Sequence, residues 1–451
     1  MTTDILRSGL RGALITALEP RLAAESDALI WNGRKPARRV KLIVRAACAE
    51  DVAEAVRFAA AKGLTVSPRG GGHQFTGIAA QADMVIDLGT LDGLKLDAEA
   101  RTARVEPAVT NARLAAALER HGLAFPLSHC GSVPMSGYLL GGGVGWNSAE
   151  WGFACFSVMA VEVVLADGRI VTADAEQNAD IYWAVRGAGP EFFGVVTAYH
   201  VKLQEAAKAT STSIRIYPAA MASQVADWAE TVMAEAPPSV EFTTKVTPTP
   251  NGPVLATLAT VFAKTDAEAS AIHAALGKSA PEALQVIGPM PTPIGALYEA
   301  TEPSMPRGRR YAVDTLWSEA RFGEVLARLV HGMALAPSEE SMALVVLRPN
   351  AVATPTDAAF SCHGRVFGAL YGVWQGEEHD AANIGWLRAT IDGVAPLCTG
   401  AYVGEADLDR PDRALRTLSP EAQTRLRDLR AFHDPHGLFL RRASTTAIAA
   451  E

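Results

Sequence analysis

PRGGGHQF, residues 68–75, follows LTVS, a run that reads as a short strand. Gly70, Gly71 and Gly72 stand in a row, so the backbone there must pass something closely: glycine adds no Cβ and reaches left-handed φ without strain. His73 ends the run and admits several readings: a packed turn residue, a metal ligand, a base or a point of attachment. No metal site is expected, because no second histidine or carboxylate stands at ligand spacing nearby.

Further glycine-rich stretches follow at 137–146, GYLLGGGVGW, and 186–197, RGAGPEFFGVVT. A phosphate cradle needs successive backbone N–H groups aimed at one anion, and glycines let the chain turn and approach it. None of these stretches has the strand–G-x-G-x-x-G–helix context of a dinucleotide fold, and no G-x-x-x-x-G-K-[ST] occurs. Taken together they point to a large, flat, phosphate-bearing ligand. Cys130 lies just upstream, in LSHCGSVPMSGYLLGGGVGW. A lone cysteine is usually a small hydrophobe, yet this one sits among small and polar residues.

The chain has 451 residues, 49% hydrophobic and 20% charged, which suits a globular protein of about two or three domains. A net charge of −8 without like-charge blocks argues against nucleic acid or an anionic membrane surface as partner. No apolar run approaches the roughly 20 residues that span a bilayer. MTTDILRSGLRGALITALEP reads as a helix rather than a signal peptide, which predicts a cytoplasmic location. The odd, scattered cysteines suggest neither a disulfide framework nor a zinc site.

Residues 1–205 read as short strands and helices: KLIVRAA, the helix AEDVAEAVRFAAAKG capped by Gly63, then LTVSPR, MVIDLG, LKLD and ARVEPAV. Thr110 or Asn111 caps RLAAALERHG, and Asp167-Gly168 joins the hairpin VEVVLADGRIVTA. From 206 to 400 the texture changes to longer alternating strands, such as RRYAVDTLW, SMALVVLRPN and RVFGALYGVW. Amphipathic helices lie between them, so this part is expected to be a half-exposed antiparallel sheet covered on one face by helices. Residues 401–451 form a closing segment, with the charged helix EAQTRLRDLRAFHD and the ending PHGLFLRRAS.

In combination these segments resemble the FAD-binding domain of the vanillyl-alcohol oxidase / p-cresol methylhydroxylase superfamily, and most of all the berberine bridge enzyme-like oxidases. RGGGH is similar to the family's histidyl attachment loop. Cys130, Val133, Gly137 and Gly141-Gly142-Gly143 fall at the family's spacing for a second attachment point and its glycine triplet. DIYWAVRGAGPEFFGVVT resembles the segment that closes the flavin site, and FHDPHGLF the family's C-terminal motif. The resemblance covers most of residues 30–205 and 395–440. It implies an α+β protein: a two-part FAD-binding domain of the PCMH type at 1–205, a substrate-binding domain at 206–400, and a segment at 401–451 that returns to the FAD domain.

The resemblance also implies FAD bound covalently, through His73 to the 8α-methyl carbon and through Cys130 to C6. Backbone amides of Arg69, Gly70, Gly71 and Gly72 would meet the pyrophosphate. Gly141, Gly142, Gly143, Gly194 and Val195 would line the cofactor. Neutral imidazole and thiolate are the side-chain nucleophiles suited to electrophilic ring carbons. This chain departs from the family pattern at Ser128 and Pro134, where glycine is usual.

Val133 stands where a small residue accompanies access of oxygen to the flavin, which favours an oxidase releasing H2O2. The expected reaction is hydride transfer from a small organic alcohol or amine, aromatic or alicyclic, to flavin N5. Tyr402 and Glu405, in YVGE, are the candidate catalytic groups. Gly404 replaces the family's Asn, and Glu405 stands where sugar-oxidising relatives carry tyrosine, so a carbohydrate substrate is disfavoured. Further polar candidates on the middle strands are Arg310, Tyr311, Asp314, His363, Arg365 and Tyr371. Trp317, Phe367 and Trp374 read as core, and Phe75 offers no proton relay. The expected partners are the substrate and O2, and the protein is expected to be a monomer or homodimer. The alternatives are a flavin dehydrogenase with a non-oxygen acceptor and a binding or cyclisation protein with a non-redox flavin.

Overall fold

The computed structural model describes residues 3–440. The helix Ala49–Lys62 buries Val52, Val56, Phe58 and Ala59 and ends at Gly63, whose φ of 61° is the left-handed conformation glycine tolerates best. Strands Leu42–Arg45 and Val66–Arg69 flank it in sequence, and both pair in parallel with Met84–Asp87. Ala13–Thr16 completes this four-stranded sheet, antiparallel to Leu42–Arg45. The N-terminal stretch is therefore not one helix: Thr3–Gly9 is helical, and the chain then turns into a strand. The Asp51 carboxylate accepts the Arg11 and Gly12 amides at 2.9 and 2.8 Å, and a Cβ on Gly12 would lie 1.9 Å from the Arg45 carbonyl. These tertiary contacts outweigh local propensity.

A second, five-stranded sheet runs in the order Leu94–Asp97, Thr102–Val105, Gly194–Lys202, Val158–Leu165, Ile170–Asp174. Its last pair is the expected hairpin, with Gly168 at φ 79° in the turn. Thr110, not Asn111, caps the helix Asn111–Glu119: its hydroxyl accepts the Arg113 amide at 3.2 Å. Val164 and Val195 pack with Val44 and Ile86 in the core between the sheets.

The third sheet has seven antiparallel strands, in the order Gln285–Pro291, Ala209–Pro218, Val254–Ala263, Val240–Thr247, Met342–Leu347, Val366–Trp374, Arg310–Ser318. Helices including Phe322–Met333 and Asp380–Val394 cover one face, with Phe322, Leu326 and Leu387 against Leu316 and Leu370. The other face presents Tyr311, Val313, Trp317, Phe367 and Tyr371 to Phe75, Phe153 and Tyr402. Val240–Thr247 keeps the expected alternation of buried and half-exposed residues, but Val366–Trp374 is buried at every position, because helices cover one face there and the glycine-rich part the other. The edge strand Gln285–Pro291 went unforeseen, since its prolines and exposed pattern resemble a loop.

Trp317 exchanges backbone bonds with the 399–400 turn, which carries the chain back from the third sheet. Beyond helix Pro420–His433, the Leu438 carbonyl accepts the Val66 amide and the Leu440 amide reaches the Val66 carbonyl, each at 2.8 Å. The chain end thereby sits beside the strand that leads into PRGGGHQF. Residues 441–444 of the expected terminal motif lie outside the described residues. Among the described residues no helix is long and apolar enough to cross a membrane.

Candidate functional site

Strand Val66–Arg69 delivers the glycine loop, and Arg69 shapes it. Its guanidinium bonds Asp87 Oδ1 at 3.1 Å and the carbonyls of Leu29, Gly70 and Gly71 at 3.0–3.1 Å. The loop carbonyls are therefore held on one side. The amides of Gly70, Gly71, Gly72 and His73 meet no protein acceptor among the described residues. A row of free N–H groups beside a guanidinium is an anion cradle, and its donor set fits a pyrophosphate. The glycines also let two loops touch: a Cβ on Gly70 would lie 1.7 Å from Ser136 Oγ, and one on Gly71 2.5 Å from Pro134 Cγ.

His73 stacks on Trp31, with ring centroids 5.4 Å apart at 22°. Burial drives its pKa down to about 4, and the charges of Arg307 and Arg69 push the same way against the Ser132 backbone. The imidazole is neutral at pH 7 and keeps a ring-nitrogen lone pair.

The Cys130 loop is tied to the helix that starts at Asn111. The Asn111 backbone and side-chain amides donate to the Val133 carbonyl at 2.9 and 2.8 Å, and the Ala112 amide donates to Gly131 at 2.9 Å. Ser128 Oγ donates to the Cys130 carbonyl at 2.7 Å, which gives the departing serine a structural task. Cys130 is partly exposed, its thiol 3.3 Å from Ser132 Oγ, and Tyr298, Tyr311 and Tyr371 lie near it.

Val133 packs against the core beside this loop, and Gly137 has open space where a side chain would stand. Gly142 at φ 117° lies against the Phe360 ring, Gly143 at φ 78° against Ala154 and Tyr138, and Gly141 against Val403. The structure brings the segments of His73, Cys130 and the glycine triplet together. Gly194 lies against Val163, and Val195 is a fully buried ladder residue opposite Val164, its side chain in the core.

On the sheet side the Tyr371 hydroxyl donates to Glu405 Oε2 at 3.0 Å. Burial raises the pKa of Glu405, opposed by the Tyr371 bond and the charge of His129. Tyr402 folds back over Gly404, where a Cβ would come within 2.7 Å of its ring, and Gly143 and Val144 amides face its hydroxyl. Gly404 is required for that fold. Its loop is anchored by Asp314, which pairs with Arg413 at 2.7 Å and accepts the Asp407 amide at 3.2 Å, both partners almost wholly buried. Asp314 is thus engaged away from the chamber, the region between Glu405, Tyr371 and the loops of His73 and Cys130, as are Arg310 on Asp380 and Arg365 near Glu230. Tyr311 and Phe75 join the aromatic wall, their rings 5.7 Å apart, while Trp374 packs under the helices.

Several chamber residues escaped the sequence reading. His129 Nε2 meets Glu241 Oε1 at 2.7 Å across the two halves of the molecule. Its side chain keeps 37% exposure, and burial is nonetheless the largest influence on its charge. Tyr298 and Trp31 each bury a polar atom without a protein partner among the described residues. Glu241 had one faint signal: with Thr243, Lys245 and Thr247 it forms the polar face of a strand whose other face carries Val240, Phe242 and Val246. His129 adjoined Cys130, and Trp31-Asn32 stood in a short unpatterned stretch.

A family model described as an FAD binding domain matches residues 40–174. The FAD-linked oxidoreductase ptmO of Penicillium ochrochloron is 30% identical over 382 residues, covering 83% of this chain and 84% of that one. The (R)-6-hydroxynicotine oxidase of Paenarthrobacter nicotinovorans is 35% identical over 182 residues, 40% of this chain and 39% of that one. Among solved structures, Physcomitrella patens BBE-like 1 superposes with a TM-score of 0.86 at 18% identity, covering 98% of this chain and 99% of that one.

Proposed function

Since the chain belongs to the FAD-linked oxidoreductases of the berberine bridge enzyme-like family, we propose that it is an oxidase of a small organic alcohol or amine, with FAD held covalently by His73 and Cys130. The observation that carries this reading is the half-buried Glu405 carboxylate, hydrogen-bonded by Tyr371 beside the loop that bears Cys130. Bound FAD supplies the two-electron acceptor and, once reduced, the donor to O2.

The remaining work falls to the chain. Amides of Gly70 to His73 and the Arg69 charge receive the pyrophosphate. The neutral His73 imidazole and the Cys130 thiol are the attachment nucleophiles. Glu405 takes the proton from the substrate O–H or N–H as the adjoining C–H gives up hydride. Its raised pKa brings its basicity closer to the operating pH, which favours general-base catalysis. Tyr371 fixes the carboxylate, and Tyr402 packs beside it. The aromatic wall of Tyr311, Tyr371 and Phe75 suits an aromatic or alicyclic substrate and excludes water. Val133 is the small residue that the family resemblance ties to oxygen access, in keeping with the oxidase name of one relative.

Anaerobic bleaching of the flavin by a panel of alcohols and amines, followed by admission of air, tests this reading. Bleaching by a panel member and recovery within seconds in air are expected. Slow recovery in air with fast recovery on an artificial acceptor would establish a dehydrogenase instead. Flavin that no panel member reduces would contradict a redox role.

A further inference from the structure

The glycines that let the His73 loop approach a cofactor also deprive it of side chains that could hold the imidazole. Gln74, the next residue, is engaged elsewhere: its amide donates to the Ala406 carbonyl at 3.0 Å, and its oxygen accepts from Thr76. Besides the Ser132 backbone, which meets the ring, the hold comes from residues 29–34. Arg69 bonds the Leu29 carbonyl, the Trp31 amide donates to the Gly72 carbonyl at 3.0 Å, and the Trp31 ring stacks on His73. The same indole leans on Tyr311, with centroids 5.0 Å apart, and its Nε1 is buried without a protein acceptor among the described residues.

Asn32, 1% exposed, locks the arrangement. Its Nδ2 donates to the Phe75 carbonyl at 2.7 Å and the Tyr311 carbonyl at 2.9 Å, and its Oδ1 accepts the Tyr311 amide at 2.9 Å. One side chain thus ties the loop of His73 to the edge strand Arg310–Ser318. The three parts that must be in register for attachment, namely loop, imidazole and sheet, are registered here.

We propose that Trp31 is the positioning residue for covalent flavin capture by His73, with Asn32 as the key that locks it to the sheet. The proposal rests on the reading of His73 as attachment point. In that step one C–H bond of the 8α-methyl group and one imidazole N–H bond are lost and one C–N bond forms. Both protons and two electrons remain with the flavin, now reduced, until dioxygen takes them as hydrogen peroxide. An attacking nitrogen gains from a fixed plane, since misplacement by about 1 Å can cost on the order of 100-fold in rate.

The test uses full-length Cys130→Ser protein, so that only histidyl attachment is read. Total bound flavin and acid-stable flavin on the peptide containing His73 are measured by absorbance and mass spectrometry. Trp31→Leu is expected to keep bound flavin but lower the acid-stable fraction at early times by at least about tenfold, with Trp31→Phe restoring most of it. Asn32→Ala is expected to lower it as well. Unchanged acid-stable flavin in Trp31→Leu overturns the role of the indole, and unchanged flavin in Asn32→Ala overturns that of the lock. Should Trp31→Leu bind no flavin, Trp31→Phe decides: restored attachment supports positioning, and persistent loss contradicts it. If the Cys130→Ser parent itself carries no flavin on His73, the attachment reading fails and the proposal with it.

Discussion

Two loops meet beside the seven-stranded sheet, and each carries a histidine whose charge is set in the opposite direction. On the first, burial and the arginines Arg69 and Arg307 keep His73 neutral. On the second, burial also disfavours charge, but Glu241 at 2.7 Å and Glu405 outweigh it and hold His129 above its ordinary pKa. The side-chain type is the same, and its chemistry is decided by which charges the fold brings to it. One ring is kept neutral, the other is biased toward its charged form by the carboxylates it faces.

The largest expected effect breaks the carboxylate end of this contrast. Glu405→Gln removes the base and leaves the Tyr371 contact, and should lower kcat/KM by about 10²- to 10⁴-fold, read as the rate of anaerobic flavin reduction. In the parent, activity should fall as pH drops through the raised pKa of Glu405, and that acid limb should vanish in the variant. Next comes the anchor of its loop. Arg413→Met leaves Asp314 buried alone, and urea unfolding should show a loss of about 3–5 kcal/mol.

Glu241→Gln removes the partner that raises the pKa of His129. The pair is partly exposed, so the loss should be smaller, about 1–2 kcal/mol. Its sign follows from linkage. The folded pKa of His129 is raised, so the stabilisation is present in full below the unfolded value near 6.5 and is lost as pH rises through the folded value. Thermal melts of parent and variant should therefore converge toward alkaline pH. At pH 7 His73 gives the smallest effect, and toward acid pH its sign is the opposite. Its folded pKa is about 4, so flavin-free protein should lose stability as pH falls from about 6.5 toward 4, and His73→Phe should flatten that slope.

The first loop was legible in the sequence and most of the second was not. RGGGH announces itself because glycine runs are rare and mean close approach, and Gly63 and Thr110 mark helix ends through local chemistry. His129 and Glu241 are 112 positions apart, and Asn32 and Tyr311 are 279 apart. No period or spacing in one chain encodes such pairs. The strand alternation showed that Arg310 and Tyr311 face opposite ways but not which face meets the chamber; only the packing of Phe75 and Tyr402 on Tyr371 decides that. The family resemblance carried attachment chemistry to His73 and Cys130, yet it was silent on Trp31, which holds the first of them.

The most direct measurement is peptide mapping of acid-stable flavin in the parent, His73→Ala, Cys130→Ala and the double variant. The account predicts flavin bridging the peptides of His73 and Cys130 in the parent, flavin on the remaining site in each single variant, and none in the double. Acid-stable flavin that persists in the double variant, or a parent whose flavin is released by acid, would contradict it.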